Sequence, residues 1–375
     1  MKILAVNWLD SENPDAGGAE IHFFEIFSRL AAAGDSVTLV ASGWSGCSRH
    51  TVIDGIDVYR YGGRHSFAVR GRGAVRRHLQ EPSYDVVVED INKLPLYVST
   101  LTQLPVYVIV PHLFGTTAFR EASWPVASIV WLAERSIPRV YRHAAFHAIS
   151  ESTQQDLASR GIPERQIRVI HPGVDLDAFR PDVDGKRAPD PTFLYVGRLK
   201  RYKRIDVAIR GLAELRATVP GARLQIAGTG SDRPRLERLV RRLGLTDAVQ
   251  FLGFVSEQHK LALFRAAWSL IFPSFKEGWG MTNIEGAACG TPTIAADSPG
   301  LRESVVHERT GLLVRNADKP HAWAHAMDRM SRDHNLRERF GVEARVFSET
   351  LTWERAAQET RAHLMGVVAD RREDR

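Results

Sequence analysis

The chain of 375 residues is 44% hydrophobic and 25% charged, with 50 Lys and Arg against 44 Asp and Glu for a net charge of +6. This length exceeds the usual size of one hydrophobic core, so it predicts two domains, and the composition excludes the disordered and fibrous classes. The two cysteines, Cys47 and Cys289, give neither a disulfide framework nor metal-ligand spacing, and the basic balance favours anionic partners without naming one.

The amino terminus and the apolar runs indicate where the protein works. Lys2 brings a charge too early for a signal peptide, and the apolar residues that follow suit a strand. The chain has no uninterrupted apolar run of about 18 residues, the length that a membrane span requires. We therefore expect a cytoplasmic protein without a transmembrane segment.

The first half of the chain predicts alternating strands and helices. An apolar strand at Lys2–Asn7 leads through a glycine loop to a helix at Ala19–Ala33 and a second strand at Ser36–Ala41. This βαβ unit implies a parallel sheet with a right-handed crossover. Further short strands are predicted at 85–89, 106–110 and 146–149.

The second half repeats the pattern after a stretch rich in Pro, Asp and Gly at 171–191, which we interpret as a linker. The predicted strands are 193–196, 223–227, 249–252, 270–272 and 293–296, and the predicted helices are 205–218, 234–243, 257–267 and the run from Met281. From Trp323 onward the chain is expected to be largely helical. The predicted fold is two doubly wound, Rossmann-like α/β domains facing across a cleft lined by βα loops.

The stretch Ser274–Pro292, SFKEGWGMTNIEGAACGTP, has the clearest chemical signature. Glu277 and Glu285 stand eight residues apart, and a flexible Gly-Trp-Gly separates Glu277 from a helix that begins near Met281. Helix N-termini present free N–H groups and a positive dipole end to an anion. This stretch therefore predicts a phosphate site.

Two loops after predicted strands offer further candidates. Gly197–Lys203 places four cations in six residues after a strand, where they could neutralise a diphosphate or form an ordinary basic loop. Gly228-Thr229-Gly230 is either a plain turn or a point of close backbone access for a flat ring. His112, after the strand at 106–110, is the best placed of the fourteen histidines, although a lone histidine is more often structural.

The first glycine loop, Gly17-Gly18, opens a helix and could approach a ligand or only make a tight turn. It is not GxGxxG, which argues against a dinucleotide site.

A basic segment at Arg60–His78 carries no acid and interleaves arginines with apolar residues. We interpret it as a patch for an anionic membrane or an acceptor, with a solvated loop as the alternative. Nucleic acid is not expected, because no recognised nucleic-acid-binding module accompanies the patch. The residues assigned to it are Arg64, Phe67, Arg70, Arg72, Arg76 and Arg77.

Trp124 and Trp131 stand seven residues apart. This spacing favours a helix face packed on the core over a platform for a sugar ring.

Taken together, these motifs resemble the retaining glycosyltransferases of the GT-B fold, family 4 (glycosyl transferases group 1), over essentially the whole chain. The strongest element is Glu277-x7-Glu285 in the context FKEGWGMTNIEGAACGTPTIAADSPGLRESV. The other motifs that fall in the family's order are Gly197-Arg198-x4-Lys203, AGTG at 227–230, FLGFV at 251–255, HPGVD at 171–175 and NPDAGGAE at 13–20.

The resemblance implies a role for each matching position around the donor. Glu277 would bind hydroxyls of the transferred sugar, and Glu285 the nucleotide ribose. Arg198 and Lys203 would bind the diphosphate and stabilise the leaving group, so that no metal and no cofactor are required. The backbone amides expected to meet sugar and phosphate are those of Gly278, Trp279, Gly280, Met281 and Thr282.

The remaining implied roles involve both predicted domains. Gly17 and Gly18 would approach the phosphates, His112 would lie beside the sugar, and the base would rest near Gly228 and Val255. The implied domains are 1–172 on the acceptor side, 173–352 for the nucleotide sugar, and a C-terminal helix at 353–375, with Trp353, that crosses back onto the first domain.

The function implied is transfer of a hexose from a UDP- or GDP-linked sugar, by metal-independent front-side attack, to an acceptor that is lipid-linked or part of a cell-envelope glycan. The protein would then lie at the inner face of the cytoplasmic membrane. Two alternatives stay open: a nucleotide-sugar epimerase on the same fold, and a catalytically silent nucleotide-binding scaffold protein.

Overall fold

The computed structural model describes residues 1–81, 84–117, 119, 123–182 and 185–373. It divides into two compact units, one of Met1–Gly173 with Trp353–Arg375 and one of Val174–Thr352. The last two residues of the predicted segment 353–375 lie outside the described residues.

The first unit is built on an eight-stranded sheet with the order β3-β4-β2-β1-β5-β6-β7-β8. All neighbours in the sheet pair in parallel except β3 and β4, which form an antiparallel hairpin. The strands are β1 (Lys2–Val6), β2 (Ser36–Gly43), β3 (His50–Ile53), β4 (Ile56–Gly63), β5 (Val86–Asp90), β6 (Val106–Val110), β7 (Ala145–Ala148) and β8 (Ile167–Val169).

The helices of this unit are α1 (Gly18–Ala32), α2 (Phe67–His78), α3 (Trp124–Val140), α4 (Glu151–Ser159) and, from the end of the chain, α12 (Trp353–Glu373). Apolar side chains of α2 and α3 join one buried cluster with β1, β5 and β6, so both helices pack on the same face of the sheet. Helix α12 packs against α1, where Arg29 pairs with Glu354 at 2.9 Å.

The second unit is built on a six-stranded, all-parallel sheet with the order β11-β10-β9-β12-β13-β14. Its strands are β9 (Thr192–Val196), β10 (Arg223–Ala227), β11 (Val249–Gly253), β12 (Ser269–Phe272), β13 (Thr293–Ala296) and β14 (Gly311–Val314). The order of the strands reverses between β9 and β12. In such sheets, ligands bind beyond the carboxyl ends of the strands at this switch point.

The helices of the second unit are α5 (Ile205–Leu215), α6 (Arg233–Arg242), α7 (Glu257–Ala266), α8 (Met281–Ala288), the short α9 (Leu301–Ser304), α10 (Pro320–Arg332) and α11 (His334–Glu349). The buried indole of Trp323 on α10 packs against α5 at Gly211, where an added Cβ would lie 2.7 Å from the Trp323 Cβ. The small residue thus allows the two helices to approach closely.

The predicted fold class is confirmed, because two Rossmann-like parallel sheets carry the chain in the expected order of strands and helices. The β3–β4 hairpin and helix α2 are elements that were not predicted from the sequence. No helix in the described part of the chain is long and apolar enough to cross a bilayer.

Candidate active site

Two loops meet at the switch point of the second unit. Lys203, in the loop after β9, donates to both carboxylate oxygens of Glu277, in the loop after β12, at 2.5 and 2.7 Å. Both side chains are largely buried. Burial lowers the pKa of Lys203, but the adjacent Glu277 carboxylate outweighs it, and the net shift is upward. Two residues 74 positions apart are therefore held together as an ion pair at the edge where a ligand is expected.

Helix α8 begins directly beside this pair. Gly280, its N-cap, has φ of 102°, a conformation that favours glycine, and an added Cβ would lie 2.9 Å from Asn283 and from Ser304. The first amides of the helix, at Met281 and Thr282, have no intrahelical acceptor. The Trp279 side chain is buried, so this residue and Gly278 can offer a ligand only backbone groups or a small edge.

Glu285 lies one turn further along α8, and Lys260 of α7 pairs with it at 3.0 Å. Burial raises the pKa of the Glu285 carboxyl group, and the Lys260 ammonium opposes that shift. Lys260 was not a predicted site residue, because its partner lies 25 positions away on another helix. The sequence carried only a local signal, a Glu257–Lys260 pair at i,i+3 that the structure also contains.

The glycines after β9 and β10 lie in loops joined by backbone hydrogen bonds. Gly228 donates to the Gly253 carbonyl at 2.6 Å, and Leu199 donates to the Thr229 carbonyl at 2.8 Å. A Cβ at Gly228 would lie 2.0 Å from the Gly197 oxygen. Close packing of the loops therefore already requires Gly228, whether or not a nucleotide base rests beside it.

Three more residues surround these loops. The Arg198 side chain is exposed to solvent after β9, and Val255 is half-buried after β11. Phe254, which the sequence analysis did not single out, is 85% exposed next to the loop of Gly228. An exposed ring after a strand of this sheet could stack on a planar ligand, and the only signal in the sequence was its place in FLGFV.

In the first unit, Gly17 is the N-cap of α1, and its amide donates to the Glu20 carboxylate at 2.8 Å. The Gly17 N–H group is therefore already engaged, and Gly18 is the first residue of the helix. The proposed phosphate role of these two glycines stays a prediction.

A buried polar cluster that sequence reasoning missed lies beside Glu20, at the switch between β1 and β5. Asn92 donates to Asn7 at 2.8 Å and to Glu20 at 3.3 Å, and Lys93 lies 3.6 Å from Glu20. Burial raises the pKa of Asp90 well above its usual range, with the nearby Glu20 acting in the same direction. The sequence signal for this cluster was the presence of polar residues at the ends of two apolar strands.

His112 follows β6 and is half-buried, with its ring in an edge contact with Phe114 at 4.9 Å between centroids. The buried Glu134 carboxylate of α3 accepts the amides of Phe114 and Gly115 at 2.6 and 2.7 Å. This carboxylate holds the loop that carries His112.

The predicted membrane patch is corrected in part. Phe67, the first residue of α2, is fully buried, so it cannot provide an apolar contact to a surface. Arg72 donates to the carbonyls of Leu96 and Tyr97, so its guanidinium stabilises the loop that follows β5. Exposed cations remain, and they are Arg64 (paired with Asp15 at 2.8 Å), Arg70, Arg76 and Arg77.

The preferred interpretation of Trp124 as a core residue is wrong. It lies on α3 but is 75% exposed, while Trp131 is half-buried.

Comparisons with known proteins cover nearly the whole chain. The family model described as "Glycosyl transferases group 1" matches residues 179–347, and the one described as "Glycosyltransferase Family 4" matches residues 16–178. The D-inositol 3-phosphate glycosyltransferase of Streptomyces scabiei is 28% identical over 96% of this chain and 88% of its own. That of Rhodococcus erythropolis is 36% identical over 52% of this chain and 48% of its own.

Solved structures share the fold. Sucrose-phosphate synthase from Thermosynechococcus elongatus matches with a TM-score of 0.83 and 23% identity over 98% of this chain and 99% of its own. Anabaena HepE, solved in complex with UDP-glucose, gives 0.77 and 18% over 98% and 100%. WaaG, a glycosyltransferase involved in lipopolysaccharide biosynthesis, gives 0.78 and 18% over 97% and 100%. These relatives favour neither the epimerase nor the scaffold alternative.

Proposed function

The chain belongs to the glycosyl transferases group 1 family, and from that membership we propose that it moves a hexose from a nucleotide-diphosphate sugar to an acceptor with retention of anomeric configuration. The observation that carries the proposal is the Lys203–Glu277 pair beside the N-terminus of α8, at the switch point of the second sheet. A cation, a positive helix end and a carboxylate acceptor there suit a diphosphate next to a sugar hydroxyl.

In the proposed reaction, the bond between the anomeric carbon and the donor phosphate breaks as the acceptor oxygen forms a bond on the same face. The leaving phosphate oxygen takes the acceptor's proton, so atoms and charge balance without an enzyme nucleophile. Lys203, Arg198 and the α8 amides stabilise the negative charge that grows on the leaving group. Glu277 accepts hydrogen bonds from the sugar, because a carboxylate has lone pairs beyond those that Lys203 occupies.

The nucleotide part of the donor would be held by Glu285, whose carboxylate can accept both ribose hydroxyls, with the base near Gly228, Phe254 and Val255. The complex of HepE with UDP-glucose supports a nucleotide sugar as donor. We propose a UDP- or GDP-linked hexose.

We also propose that no divalent metal is needed, because Lys203, Arg198 and a helix N-terminus can all donate hydrogen bonds to a diphosphate. Activity is expected to be unchanged in excess EDTA and to gain nothing from added Mg²⁺ or Mn²⁺. Loss of activity in EDTA with recovery on metal addition would overturn this part.

A donor screen tests the central proposal. The protein would be incubated with UDP-glucose, UDP-N-acetylglucosamine and GDP-mannose and a panel of acceptors, including inositol phosphate and lipid-linked sugars. Nucleotide release would be followed, and the anomeric configuration of the product determined by NMR. An inverted product would overturn retention. Free epimerised sugar nucleotide, or tight binding without turnover, would instead support the epimerase or the scaffold alternative.

The acceptor is proposed to lie at an anionic membrane surface, and helix α3 supports this. Trp124, Val126, Ile129 and Leu132 are 75%, 51%, 57% and 60% exposed, an unusual density of large apolar side chains on one helix. Arg135 and Arg139 are exposed further along α3, while its one acid, Glu134, is buried. Apolar residues followed by cations suit insertion at a lipid interface.

Helix α2 lies on the same face of the sheet and adds cations. Its exposed side includes Arg70, Arg76 and Arg77, and it carries no acid. Arg72 of α2 and Ser136 of α3 both bond Tyr97, so one loop joins the two helices. Each cation near an anionic lipid surface contributes about 1 kcal/mol.

Vesicle sedimentation tests the membrane proposal. Binding to vesicles that contain the anionic lipid phosphatidylglycerol is expected, with weaker binding to vesicles of phosphatidylcholine alone. Trp124→Ser with Ile129→Ser and Leu132→Ser should lower binding at least about tenfold. The matched control is Ile21→Ser with Val52→Ser and Met365→Ser, which removes exposed apolar residues elsewhere in the same unit. Equal binding by the two triple variants would overturn the assignment.

A further inference from the structure

A concavity of about 630 Å³ lies within the second unit, away from the proposed donor site. The end of α7, the end of α8, one side of α11 and part of the linker surround it. It contacts α8 near Cys289 and Gly290, whereas the proposed donor site lies at the opposite end of this helix. Eight residues of helix separate the two by on the order of 12 Å. Its volume is within the range of small-molecule sites, roughly 300–1,000 Å³.

The described lining is strongly basic. Five cations face two acids, Asp182 and Glu338, so the formal balance is 5 − 2 = +3 with histidine neutral. The cations are Lys186, Arg187, Arg265, Arg337 and Arg345.

Part of this charge has a structural explanation, because three of the arginines cap helix C-termini. Arg187 donates to the carbonyls of Ala267 and Gly290, at the ends of α7 and α8, at 2.5 and 2.6 Å. Arg345 donates to Ala288 at 2.9 Å, and Arg337 donates to Met330 of α10 at 2.7 Å. These contacts satisfy carbonyl groups that a helix end leaves without partners.

The helix ends do not balance the whole charge. Each contributes about −0.5, so three contribute about −1.5 against a lining of +3. Glu349, just outside the lining, pairs with Arg345 at 2.8 Å and offsets one more charge, so an excess of about +0.5 remains. Burial lowers the pKa of Arg187 and of Arg337, as expected for cations removed from water without a full counter-charge.

The rim of the concavity is apolar. Val342 and Val346, one turn apart on α11, are 63% and 47% exposed. The Arg337 guanidinium lies 3.9 Å from the centre of the Trp268 ring, which gives the site a planar wall. A ligand with an anionic group and an apolar or planar body would satisfy both the cations and this rim.

We propose that this concavity binds a small organic phosphate, at a site separate from that of the sugar donor. The phosphate would take the guanidinium and ammonium hydrogens that face the opening, and the organic part would pack on Val342 and Val346. The inference stands on this lining alone and does not depend on the proposed function.

Calorimetric titration with phenyl phosphate tests the proposal, with inorganic phosphate as the probe that lacks the organic part. Phenyl phosphate is expected to bind the full chain in the micromolar range and more tightly than inorganic phosphate. The double variant Lys186→Glu with Arg265→Glu should bind it at least tenfold more weakly. The control is Arg238→Glu with Arg241→Glu, the same charge change at exposed positions of α6 that do not line the concavity.

Hydrogen exchange on the unmodified protein supplies a second readout. Phenyl phosphate should slow exchange in α11 and in residues 185–190. Equal weakening in both double variants would show general electrostatics and overturn the site. Unchanged affinity in the Lys186/Arg265 variant, or protection confined to the start of α8, would also overturn it.

Discussion

The Lys203 ammonium and the Glu277 carboxylate neutralise each other in a site that, in our proposal, must also hold a diphosphate and a sugar. The pair keeps both long side chains in one position before a donor arrives, which reduces the ordering required on binding. When negative charge grows on the leaving group, Lys203 is already within reach of the helix end where that charge would lie.

Removing the ammonium should therefore affect turnover more than donor binding. Lys203→Ala is expected to lower kcat about 10²- to 10³-fold, the usual effect of losing one preorganised donor. Its matched control is Lys200→Ala in the same loop, where the ammonium of the half-buried side chain donates to Ser231 at 3.4 Å and not to Glu277. Steady-state kinetics with the donor found by the screen would measure both variants. Similar kcat values for the two would contradict the role given to Lys203.

How much of this site the sequence could predict differs from residue to residue. Glu277 and Glu285 were identified as a motif because their spacing on one loop and helix is local. Lys203 could be identified by its place after a strand, but its contact with Glu277 depends on β9 and β12 being neighbours in the sheet. Lys260 could not be identified, because only packing of α7 against α8 brings it to Glu285.

At the scale of elements, the loops after β9, β10 and β11 form one layer held by backbone hydrogen bonds. Gly197 donates to Ala227, and Gly228 donates to Gly253. Side chains are excluded where the backbones approach, so glycine at these positions determines the shape of the edge at which we propose that the base binds.

This packing predicts a stability difference between two glycine substitutions. Gly228→Ala puts a Cβ 2.0 Å from the Gly197 oxygen at a φ of 131°, so backbone strain and overpacking should together cost about 2–5 kcal/mol. Gly244→Ala, at a φ of 66° with nothing within 4 Å of the added Cβ, should cost about 1 kcal/mol. The free energies of unfolding of the two variants would be compared by urea unfolding, with hydrogen exchange of amides in the second sheet as the readout. Equal losses would refute the packing argument.

Elements missed by the sequence analysis have identifiable signals. The β3–β4 hairpin turns at Asp54-Gly55, both with positive φ, and a DG pair between apolar runs is a strong hairpin signal. Helix α2 has a weak helical pattern in the sequence, because arginines occupy many of its positions. Its buried stripe consists of few residues and includes Gly71. The exposure of Trp124 could not be read from spacing, because a helical period does not tell which partner covers the face.

At the scale of the whole molecule, the first unit is assembled from both ends of the chain. Helix α12 returns to it after the whole second unit, and it contacts α1 and the sheet through several specific pairs. Arg361 pairs with Asp35 at 2.7 Å, and His363 bonds the Tyr107 hydroxyl at 3.1 Å. The family resemblance implied this return, but composition and periodicity alone did not, because the contacts join positions over 250 residues apart.

The centre of this assembly contains a buried histidine whose ionisation opposes folding. His22 of α1 lies in edge contact with Trp353 of α12 and with His147 of β7, at 6.0 and 5.4 Å between ring centroids. Neither of its ring nitrogens has a hydrogen-bond partner among the described residues. Burial lowers the pKa of His22 from 6.5 to about 4, and burial with the neighbouring His22 also lowers that of His147.

Because the folded state holds His22 neutral, the unfolded chain binds more protons below pH 6.5, and the free energy of unfolding must fall there. Above pH 6.5 the histidine is neutral in both states, and it takes nothing from the free energy of unfolding. As the pH approaches 4, the free energy of unfolding falls by about 3 kcal/mol. His22→Leu should flatten this slope, while His65→Leu, at an exposed position, should not. Urea unfolding of the first unit between pH 7 and 4.5 would measure both. A parallel fall in the free energy of unfolding of His22→Leu and of the unmodified chain would contradict this prediction. Protonation of His22 would then not be the event that weakens the contact between α1 and α12.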